Sequence, residues 1–320
     1  MDPTSLRVSI LIATYGRAPR LGRTLDSLAA ARLDGEVLGR VWVLENGPRG
    51  AAEAICAAFR NLLPIEFRSY PSPGKNRAMQ QVLPELGDDL LLFLDDDIRI
   101  EADLLARYVA VAGSHGPGHY FGGSVEPEYE QEPPAWLKQR LPHSAVGFVP
   151  EEGQWQFLGA NFAAFAEDVR RAGGFDPRFG PGAVRAGTPT NPVGSEASLQ
   201  RQLCSVGVVP VPVPEALVWH WVPADRCTAS WALQRARRKG ISLMIEQPHT
   251  GPRLFGVPRW MVRQLLESLP IVAVAKLMSD PERSFDRQFP FYRLLGLLEG
   301  DRLSRTLAAP ARGPSTGQHA

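Results

Sequence analysis

The chain has 320 residues, of which 44% are hydrophobic and 22% are charged, and 35 basic side chains nearly balance 34 acidic ones. This length is enough to bury a sizeable core, and the apolar fraction excludes a chain that is disordered throughout. The net charge of +1 argues against a protein that coats nucleic acid. We therefore expect a folded protein without a nucleic-acid partner.

The three cysteines show no CxxC spacing, which favours a reduced compartment. The first residues do not read as a signal peptide. The longest apolar stretch near the C-terminus, residues 269–278, contains Lys276 and is about half of the ~20 residues that a membrane span needs. We expect a cytoplasmic protein, and peripheral contact with the inner face of the cell membrane stays open as an alternative.

Strands and helices alternate along the first 115 residues. Short apolar, β-branched runs predict buried strands, and apolar residues at helical spacing predict helices. The predicted order is strand 7–13, a helix from Pro19 to a turn at Asp34-Gly35, strand 41–44, helix 51–60, strand 65–69, helix 75–86, strand 90–94 and helix 101–112. This alternation is typical of an α/β fold with a parallel sheet, whose ligands bind at the carboxyl ends of the strands.

The rhythm changes after residue 115. Residues 120–153 are rich in Gly, Pro, Glu and aromatic residues and show no clear period. The remaining predicted elements are a strand at 156–166, a helix at 194–206, an extended segment PVPVPEALVWHW, and helices at 226–247 and 259–278. The last 15 or so residues lack a core-forming pattern, so we expect a disordered tail.

Three consecutive carboxylates, Asp95, Asp96 and Asp97, follow the apolar run LLLFL. Carboxylates at the end of a buried strand repel one another and lose hydration, and a divalent cation such as Mg²⁺ or Mn²⁺ resolves that conflict. Strand alternation points Asp95 and Asp97 to one side and Asp96 to the other. The alternative is a solvated acidic turn that caps the following helix.

Four segments together resemble family 2 glycosyltransferases with the GT-A fold. They are VSILIATYGRAPRLGRTLDSL, VWVLENGP, GKNRAMQQVL and LLFLDDDIRI, in the family's order and spacing, and the resemblance covers about residues 7–240. It implies a Rossmann-like half with a mixed central sheet, an acceptor-binding half and C-terminal helices. The implied boundaries are residues 1–115 for nucleotide-sugar binding, 116–250 for acceptor binding and catalysis, 251–305 for a helical extension and 306–320 for the tail.

The same resemblance assigns residues to the nucleotide. In the family the base lies where the first strand ends and beside an acidic-Asn-Gly sequence, which here has Glu in place of the more usual Asp. A basic segment near the nucleotide follows, in which the family's usual order is Arg-Asn. The residues assigned in this way are Thr14, Tyr15, Glu45, Asn46, Lys75 and Arg77.

The resemblance also assigns the carboxylates. Asp95 would touch the ribose, Asp96 would help to hold the sugar or the metal, and Asp97 would hold the metal on the diphosphate. His220, in VWHWVP, matches a late histidine of many members and would be a further metal ligand. Imidazole suits Mn²⁺ better than Mg²⁺. The alternative for His220 is a core histidine between two tryptophans.

Residues on the acceptor side complete the expected site. Gly159, Ala160 and Asn161 would line the sugar pocket, and Glu196 falls where the family normally has the Asp general base. The alternative for Glu196 is an ordinary first-turn residue favoured by the helix dipole. Arg226 and Trp231 belong to a basic helical segment that would bind a diphosphate of the donor or acceptor, or would form a solvated basic face.

The implied activity is metal-dependent, inverting transfer of a sugar from a nucleotide-diphosphate sugar to an acceptor hydroxyl in polysaccharide or glycoconjugate biosynthesis. UDP is the favoured nucleotide, with GDP and dTDP as alternatives, and a homodimer stays open. Two rival hypotheses remain. One is a phosphatase of the haloacid-dehalogenase type, which also places Asp-x-Asp after a buried strand. The other is a nucleotide-sugar-binding protein without catalytic activity.

Overall fold

The computed structural model describes residues 6–16, 18–32, 37–87, 89–183 and 192–308. The chain divides into two compact units, Met1–Thr228 and Ala229–Ala320. The first unit contains β1 (Val8–Thr14), α1 (Ala18–Ala30), β2 (Leu38–Asn46), α2 (Ala52–Phe59), β3 (Ile65–Tyr70), α3 (Lys75–Val82), β4 (Leu90–Asp95), β5 (Ile98–Ile100), α4 (Leu104–His115), β6 (His119–Tyr129), α5 (Ala135–Lys138), α6 (His143–Val146), β7 (Asn161–Phe165), α7 (Ala166–Arg171), α8 (Ser195–Ser205) and β8 (Val209–Val222).

One mixed sheet organises the first unit. Its eight strands run in the order β3-β2-β1-β4-β7-β6-β8-β5. Strands β1 to β4 are mutually parallel, β7 is antiparallel to both β4 and β6, and β8 is parallel to β6 and antiparallel to β5. The predicted α/β class with a mixed central sheet is confirmed.

Both faces of the central strands are buried, which explains their continuous apolar runs. In β1, Ile10 and Ile12 pack into one core cluster while Leu11 packs into the cluster on the other face. In β4, Leu92 and Phe93 divide between the two clusters in the same way. Side chains of a strand alternate between faces, so a sheet covered by helices on both sides needs apolar residues at successive positions.

The short strand β5 brings two distant segments of the chain together. It pairs with β8 in a register that sets Ile98 opposite His220. The backbone N–H of Trp221 donates to the carbonyl oxygen of Asp97 over 2.8 Å. The turn between β4 and β5 is therefore fixed beside the C-terminal part of β8, which places His220 next to the carboxylates.

Strand β6 has no counterpart among the predicted elements. It contains Gly122 and Gly123, which interrupt the period-2 pattern. A Cβ added at Gly122 would overlap the ring of Phe157, and one at Gly123 would overlap the carbonyl oxygen of Ala216. Close packing across this part of the sheet therefore requires glycine at both positions. The same two glycines interrupt the alternating pattern by which a strand is predicted from the sequence. The turn predicted at Asp34-Gly35 lies outside the described residues.

The second unit is mainly helical. It contains α9 (Ala229–Glu246), β9 (Arg253–Leu254), β10 (Val257–Pro258), α10 (Arg259–Ala275) and α11 (Pro281–Ala308). Helix α9 thus falls in this unit and not with residues 116–250, where we expected it. Glycines allow α9 and α11 to approach closely, because a Cβ added at Gly296 would overlap the carbonyl oxygen of Arg237.

The end of the chain also differs from the expectation. Helix α11 continues past the predicted boundary at residue 305 to Ala308, and residues 309–320 of the predicted tail lie outside the described part of the chain. Among the described residues, no helix combines the length and the hydropathy that a membrane span requires.

Candidate active site

The carboxylate cluster lies at the carboxyl end of β4. Asp95 is the last residue of the strand, and Asp96 and Asp97 form the turn that leads into β5. Asp97 is only 4% exposed. Thr14, at the end of the neighbouring strand β1, donates from Oγ1 to Oδ2 of Asp96 over 2.6 Å. Asp96 is therefore tied to β1.

Asp95, Asp97 and His220 form a group that is able to hold a metal ion. One ligand atom from each lies within 4.8 Å of the others. Nε2 of His220 is 3.3 Å from Oδ1 of Asp97, and its buried Nδ1 finds no hydrogen-bond partner among the described residues. Two carboxylates and an imidazole are suitable ligands for Mn²⁺. The side chains thus fit a divalent cation, and Asp95, which we assigned to the ribose, lies within the same group.

Two arginines approach the other oxygen of Asp97. Nη1 of Arg20 is 3.9 Å from Oδ2, and Nη2 of Arg226 is 4.0 Å from the same atom. Sequence reasoning assigned Arg226 to a diphosphate but missed Arg20 altogether. Helix α1 brings Arg20 here because Thr24, one turn later, exchanges two hydrogen bonds with the backbone of Ile98. A threonine on a predicted helix gives no sequence signal for that contact.

Lys75 connects the cluster to the acceptor side. Its Nζ donates to Oδ1 of Asp95 over 2.7 Å and to Oε1 of Glu196 over 2.6 Å. Burial alone would lower the pKa of Lys75, but the two carboxylates outweigh it and raise that pKa well above its ordinary value. Burial alone would raise the pKa of Asp95, but the Lys75 ammonium holds that pKa below its ordinary value. Lys75 is therefore a charged bridge.

Glu196 is held in place by residues around the start of α8. Gly194 precedes the helix in a left-handed conformation, with a φ of 92°. Ser195 donates from its hydroxyl to Oδ1 of Asn76, a hydrogen bond that links the first turns of α8 and α3. A Cβ added at Gly159 would overlap Cγ and Cδ of Glu196. Gly159 thus provides the space that the Glu196 side chain fills.

The residues predicted to meet the nucleotide base form a second cluster at the same edge of the sheet. Asn46 donates to the carbonyl oxygen of Thr14 over 2.8 Å and accepts from the backbone N–H of Gly74 over 3.1 Å. Glu45 is 1% exposed, and its Oε1 accepts from the backbone N–H of Gly50 over 3.0 Å. Its buried Oε2 accepts no hydrogen bond within the described chain. A buried carboxylate oxygen without a donor is a suitable acceptor for a ligand N–H.

Tyr15 lies on the backbone at Gly47. That glycine has a φ of 116°, and a Cβ added there would overlap the Tyr15 ring. The tyrosine is half exposed, so the aromatic face beside Glu45 and Asn46 remains accessible. The structure therefore brings together the four residues that the sequence assigned to the base.

Other predicted site residues have different surroundings. Asn161 is fully buried, and its amide group donates to the carbonyl oxygens of Ser124 and Ala216 and accepts from the Tyr108 hydroxyl. Its side chain joins strands of the sheet and does not reach the candidate site. Ala160 is buried beside it.

Two further predicted residues belong to the basic segments. Arg77 is exposed and donates to the carbonyl oxygen of Pro73 over 3.1 Å. Trp231 is in α9 of the second unit. Of the residues predicted in the basic segments, Lys75 lies beside Asp95 and Arg226 lies near Asp97.

The family of the protein follows from comparison with known sequences. Residues 9–172 match the model of the family described as glycosyl transferase family 2. This match covers slightly more than half of the chain, and the protein belongs to that family. The protein is therefore an enzyme of the transferase class, and a phosphatase of the haloacid-dehalogenase type is excluded.

Individual relatives agree with this assignment. The chain is 27% identical over 265 residues to the succinoglycan biosynthesis protein ExoM of Rhizobium meliloti (strain 1021). This alignment covers 78% of this chain and 79% of that protein. The mannosyltransferase PcManGT from Pyrobaculum calidifontis, solved with GDP-Man and Mn²⁺, matches with a TM-score of 0.55 and 17% identity over 95% of this chain and 88% of that chain. S. aureus TarS 1–349 with UDP matches with a TM-score of 0.50 and 11% identity over 94% and 92%. These structures support the GT-A fold class.

Proposed function

We propose that the protein is a metal-dependent, inverting glycosyltransferase that moves a sugar from a nucleotide-diphosphate sugar to an acceptor hydroxyl. One observation carries this proposal. Three side chains suited to a divalent cation lie beside Glu196, to which Lys75 links them through two short hydrogen bonds. A metal-binding group next to a separate carboxylate supplies the two chemical functions that sugar transfer needs, namely stabilisation of the leaving diphosphate and removal of the acceptor proton.

Asp95, Asp97 and His220 would hold the metal. A bound Mn²⁺ or Mg²⁺ supplies positive charge that offsets the charge developing on the departing diphosphate. The mannosyltransferase from P. calidifontis was solved with Mn²⁺, which supports Mn²⁺ as the first ion to test. The guanidinium groups of Arg20 and Arg226 both approach Oδ2 of Asp97 and add positive charge there.

Glu45, with the neighbouring Asn46 and Tyr15, would bind the nucleotide base. The buried Oε2 of Glu45 has no hydrogen-bond donor among the described residues and would accept one from the base. Uracil, thymine and guanine each offer a ring N–H, which is why UDP, dTDP and GDP sugars are the candidates. We place UDP first, and the structural relatives were solved with UDP and with GDP-Man.

Glu196 would act as the general base. It takes the proton of the acceptor hydroxyl, and the acceptor oxygen forms a bond to the anomeric carbon. The bond from that carbon to the diphosphate breaks, and its electron pair leaves with the diphosphate. Because attack and departure occur on opposite faces of the sugar, this single displacement inverts the anomeric configuration.

The acceptor would be a hydroxyl of a growing glycan. The ExoM relative is named for succinoglycan biosynthesis, which supports a role in polysaccharide biosynthesis. Gly159 lies beside Glu196 and would form the floor of the sugar pocket together with Ala160, while Arg226 would contact the donor or the acceptor.

A donor panel tests the proposal. UDP-, GDP- and dTDP-sugars are offered with Mn²⁺, with Mg²⁺ and with a chelator, and release of the nucleoside diphosphate is measured. We expect release with one nucleotide class, loss of release with chelator, and recovery when Mn²⁺ is restored. The Glu196→Gln variant should lower kcat by roughly 10²–10⁴-fold while it binds the donor normally. Donor binding without turnover under every condition would support a binding protein without catalytic activity.

A further inference from the structure

The two oxygens of the Glu196 carboxylate have different surroundings. Oε1 accepts a hydrogen bond from Nζ of Lys75 over 2.6 Å. Oε2 accepts no hydrogen bond from any residue that the structure describes, and the side chain is 22% exposed. Oε1 is thus anchored to Lys75, whereas no described residue donates to Oε2.

Lys75 is itself fixed by its neighbours. It is the first residue of α3, and the next residue, Asn76, donates from Nδ2 to the carbonyl oxygen of Asp176 over 2.7 Å and accepts from the hydroxyl of Ser195. The start of α3 is therefore joined to the residue that precedes Glu196. The second hydrogen bond of the ammonium, to Asp95, extends this fixed arrangement to the candidate metal ligands.

Gly159 limits the Glu196 side chain from another direction. A Cβ at this position would overlap both Cγ and Cδ of Glu196. Any side chain at residue 159 would have to displace the carboxylate or the strand that follows. Lys75 and Gly159 are therefore two independent constraints on one carboxylate.

We propose that Lys75 is a positioning residue, which anchors Oε1 of Glu196 beside the metal-binding carboxylates so that Oε2 meets the acceptor hydroxyl, and that Gly159 provides the space for this arrangement. The proposal rests on the proposed function, because it needs Glu196 to be the general base. It differs from the role that the family resemblance implies, in which Lys75 belongs to a basic segment that binds the donor nucleotide. A phosphate-binding lysine acts on donor affinity, whereas a positioning lysine acts through Glu196 on turnover.

A double-mutant cycle separates these roles. Lys75→Met, Glu196→Gln and the double variant are compared at saturating Mn²⁺, with kcat and donor KM measured separately. We expect Lys75→Met to lower kcat by roughly 30-fold and to change donor KM by less than about threefold. In the Glu196→Gln background the same change should lower kcat by less than about threefold, because the residue through which it acts is already disabled. Lys75→Arg, which keeps a charged donor, should recover part of the lost kcat.

Gly159→Ala tests the second constraint without changing any charge. It should lower kcat by roughly tenfold, and this loss too should largely disappear in the Glu196→Gln background. Two matched controls keep wild-type kcat. Lys138→Met removes a surface lysine that pairs with Glu132, and Gly22→Ala adds a Cβ that meets only Ile55 at an ordinary 3.9 Å. Melting temperatures are measured for all variants, so that loss of folded protein is not read as loss of turnover.

Three results would overturn the inference. If Lys75→Met lowers kcat by the same factor in the Glu196→Gln background as in the wild type, Lys75 acts independently of Glu196. If the loss falls on donor KM while kcat is kept, Lys75 binds the diphosphate. If Glu196→Gln itself turns over at the wild-type rate, the proposed base is wrong and this inference fails with it. The first two results leave Glu196 as the base, so the two failures are distinguishable.

Discussion

Two buried aspartates, one in each unit, show how differently a folded chain can treat an acidic side chain. In the second unit, Asp301 is 2% exposed. Its two oxygens accept from Nη1 and Nη2 of Arg253, each over 2.8 Å, and Nε of Arg305 lies 3.4 Å from Oδ2. This fork-to-fork geometry pairs both oxygens at hydrogen-bond distance. Asp301 is therefore a closed ion pair within the protein.

Asp97 in the first unit is as deeply buried, but its charged neighbours are arranged differently. Nη1 of Arg20 and Nη2 of Arg226 lie 3.9 and 4.0 Å from its Oδ2, and Nε2 of His220 lies 3.3 Å from its Oδ1. Asp95 lies close by, and its own ammonium partner, Lys75, is shared with Glu196. Such a group gains from a further cation. Asp301 and Asp97 are similarly buried, so the kinds of side chain around each carboxylate, and not burial alone, distinguish the structural ion pair from the candidate metal ligand.

Removal of the Asp97 charge should have the largest effect. Asp97→Asn should lower turnover of the nucleotide sugar by about a thousandfold, roughly 4 kcal/mol of transition-state stabilisation, because a metal ligand is lost. The free energy of unfolding should stay the same or rise slightly, since one of several neighbouring carboxylates becomes neutral. Steady-state kinetics and chemical denaturation measure the two effects. Wild-type turnover in this variant would contradict a ligand role for Asp97.

The corresponding change in the second unit should have the opposite outcome. Asp301→Ala leaves Arg253 without its carboxylate and should lower the free energy of unfolding by about 3 kcal/mol, near the lower end for a broken buried pair. The lower end applies because the Arg253 side chain remains 26% exposed. Urea denaturation measures the loss. Glu267→Ala, which removes an exposed carboxylate paired with Arg263 on α10, is the control and should change stability by less than about 0.5 kcal/mol.

Local patterns explain why part of the site could be predicted from the sequence. The run LLLFL followed by Asp95 marks a buried strand that ends in carboxylates, and the strand and the cluster are both present. The helix that carries Glu196 was predicted at 194–206 from its pattern, and α8 begins at Ser195, whereas the role of Glu196 came from the family resemblance. Such signals depend on residues only a few positions apart.

Local patterns could not predict the partners of those residues, and His220 was assigned to the metal only through the family resemblance. His220 lies beside Asp97 because the three-residue strand β5 pairs with β8 in one particular register, and periodicity does not specify register between distant strands. Lys75 and Glu196 are 121 positions apart. The arginine at position 20 has no distinguishing pattern on α1. The sequence therefore predicted the positions of the carboxylates better than the contacts that hold them.

For Asn161, the sequence suggested a ligand contact where the structure shows contacts within the sheet. Its place in a motif suggested a sugar contact, yet its amide joins strands β6, β7 and β8 through Ser124 and Ala216. A polar residue at a sheet position has two ways to satisfy its hydrogen bonds, with a ligand or with neighbouring backbone. Only the fold shows which of the two is used.

Binding of Mn²⁺ should stabilise the wild type more than the His220→Ala variant. Mn²⁺ at 100 times its dissociation constant should raise the free energy of unfolding of the wild type by about 2.7 kcal/mol. His220→Ala, if it weakens binding tenfold, should gain only about 1.4 kcal/mol at the same concentration. Isothermal titration and denaturation with and without Mn²⁺ measure both quantities. An equal gain in wild type and His220→Ala would remove His220 from the ligand set.

The smallest effect should come from the outer member of the closed pair. The Arg305 side chain is half exposed and reaches Asp301 over 3.4 Å, whereas Arg253 makes both short bonds. Arg305→Met should therefore lower the free energy of unfolding by no more than about 1 kcal/mol, the range for an exposed ion pair. It should leave the gain from Mn²⁺ unchanged, because Arg305 lies outside the metal-binding group. If Arg305→Met lowered the free energy of unfolding as much as Asp301→Ala does, both arginines would be needed to stabilise the buried Asp301 carboxylate. The bidentate contact with Arg253 would then not be sufficient.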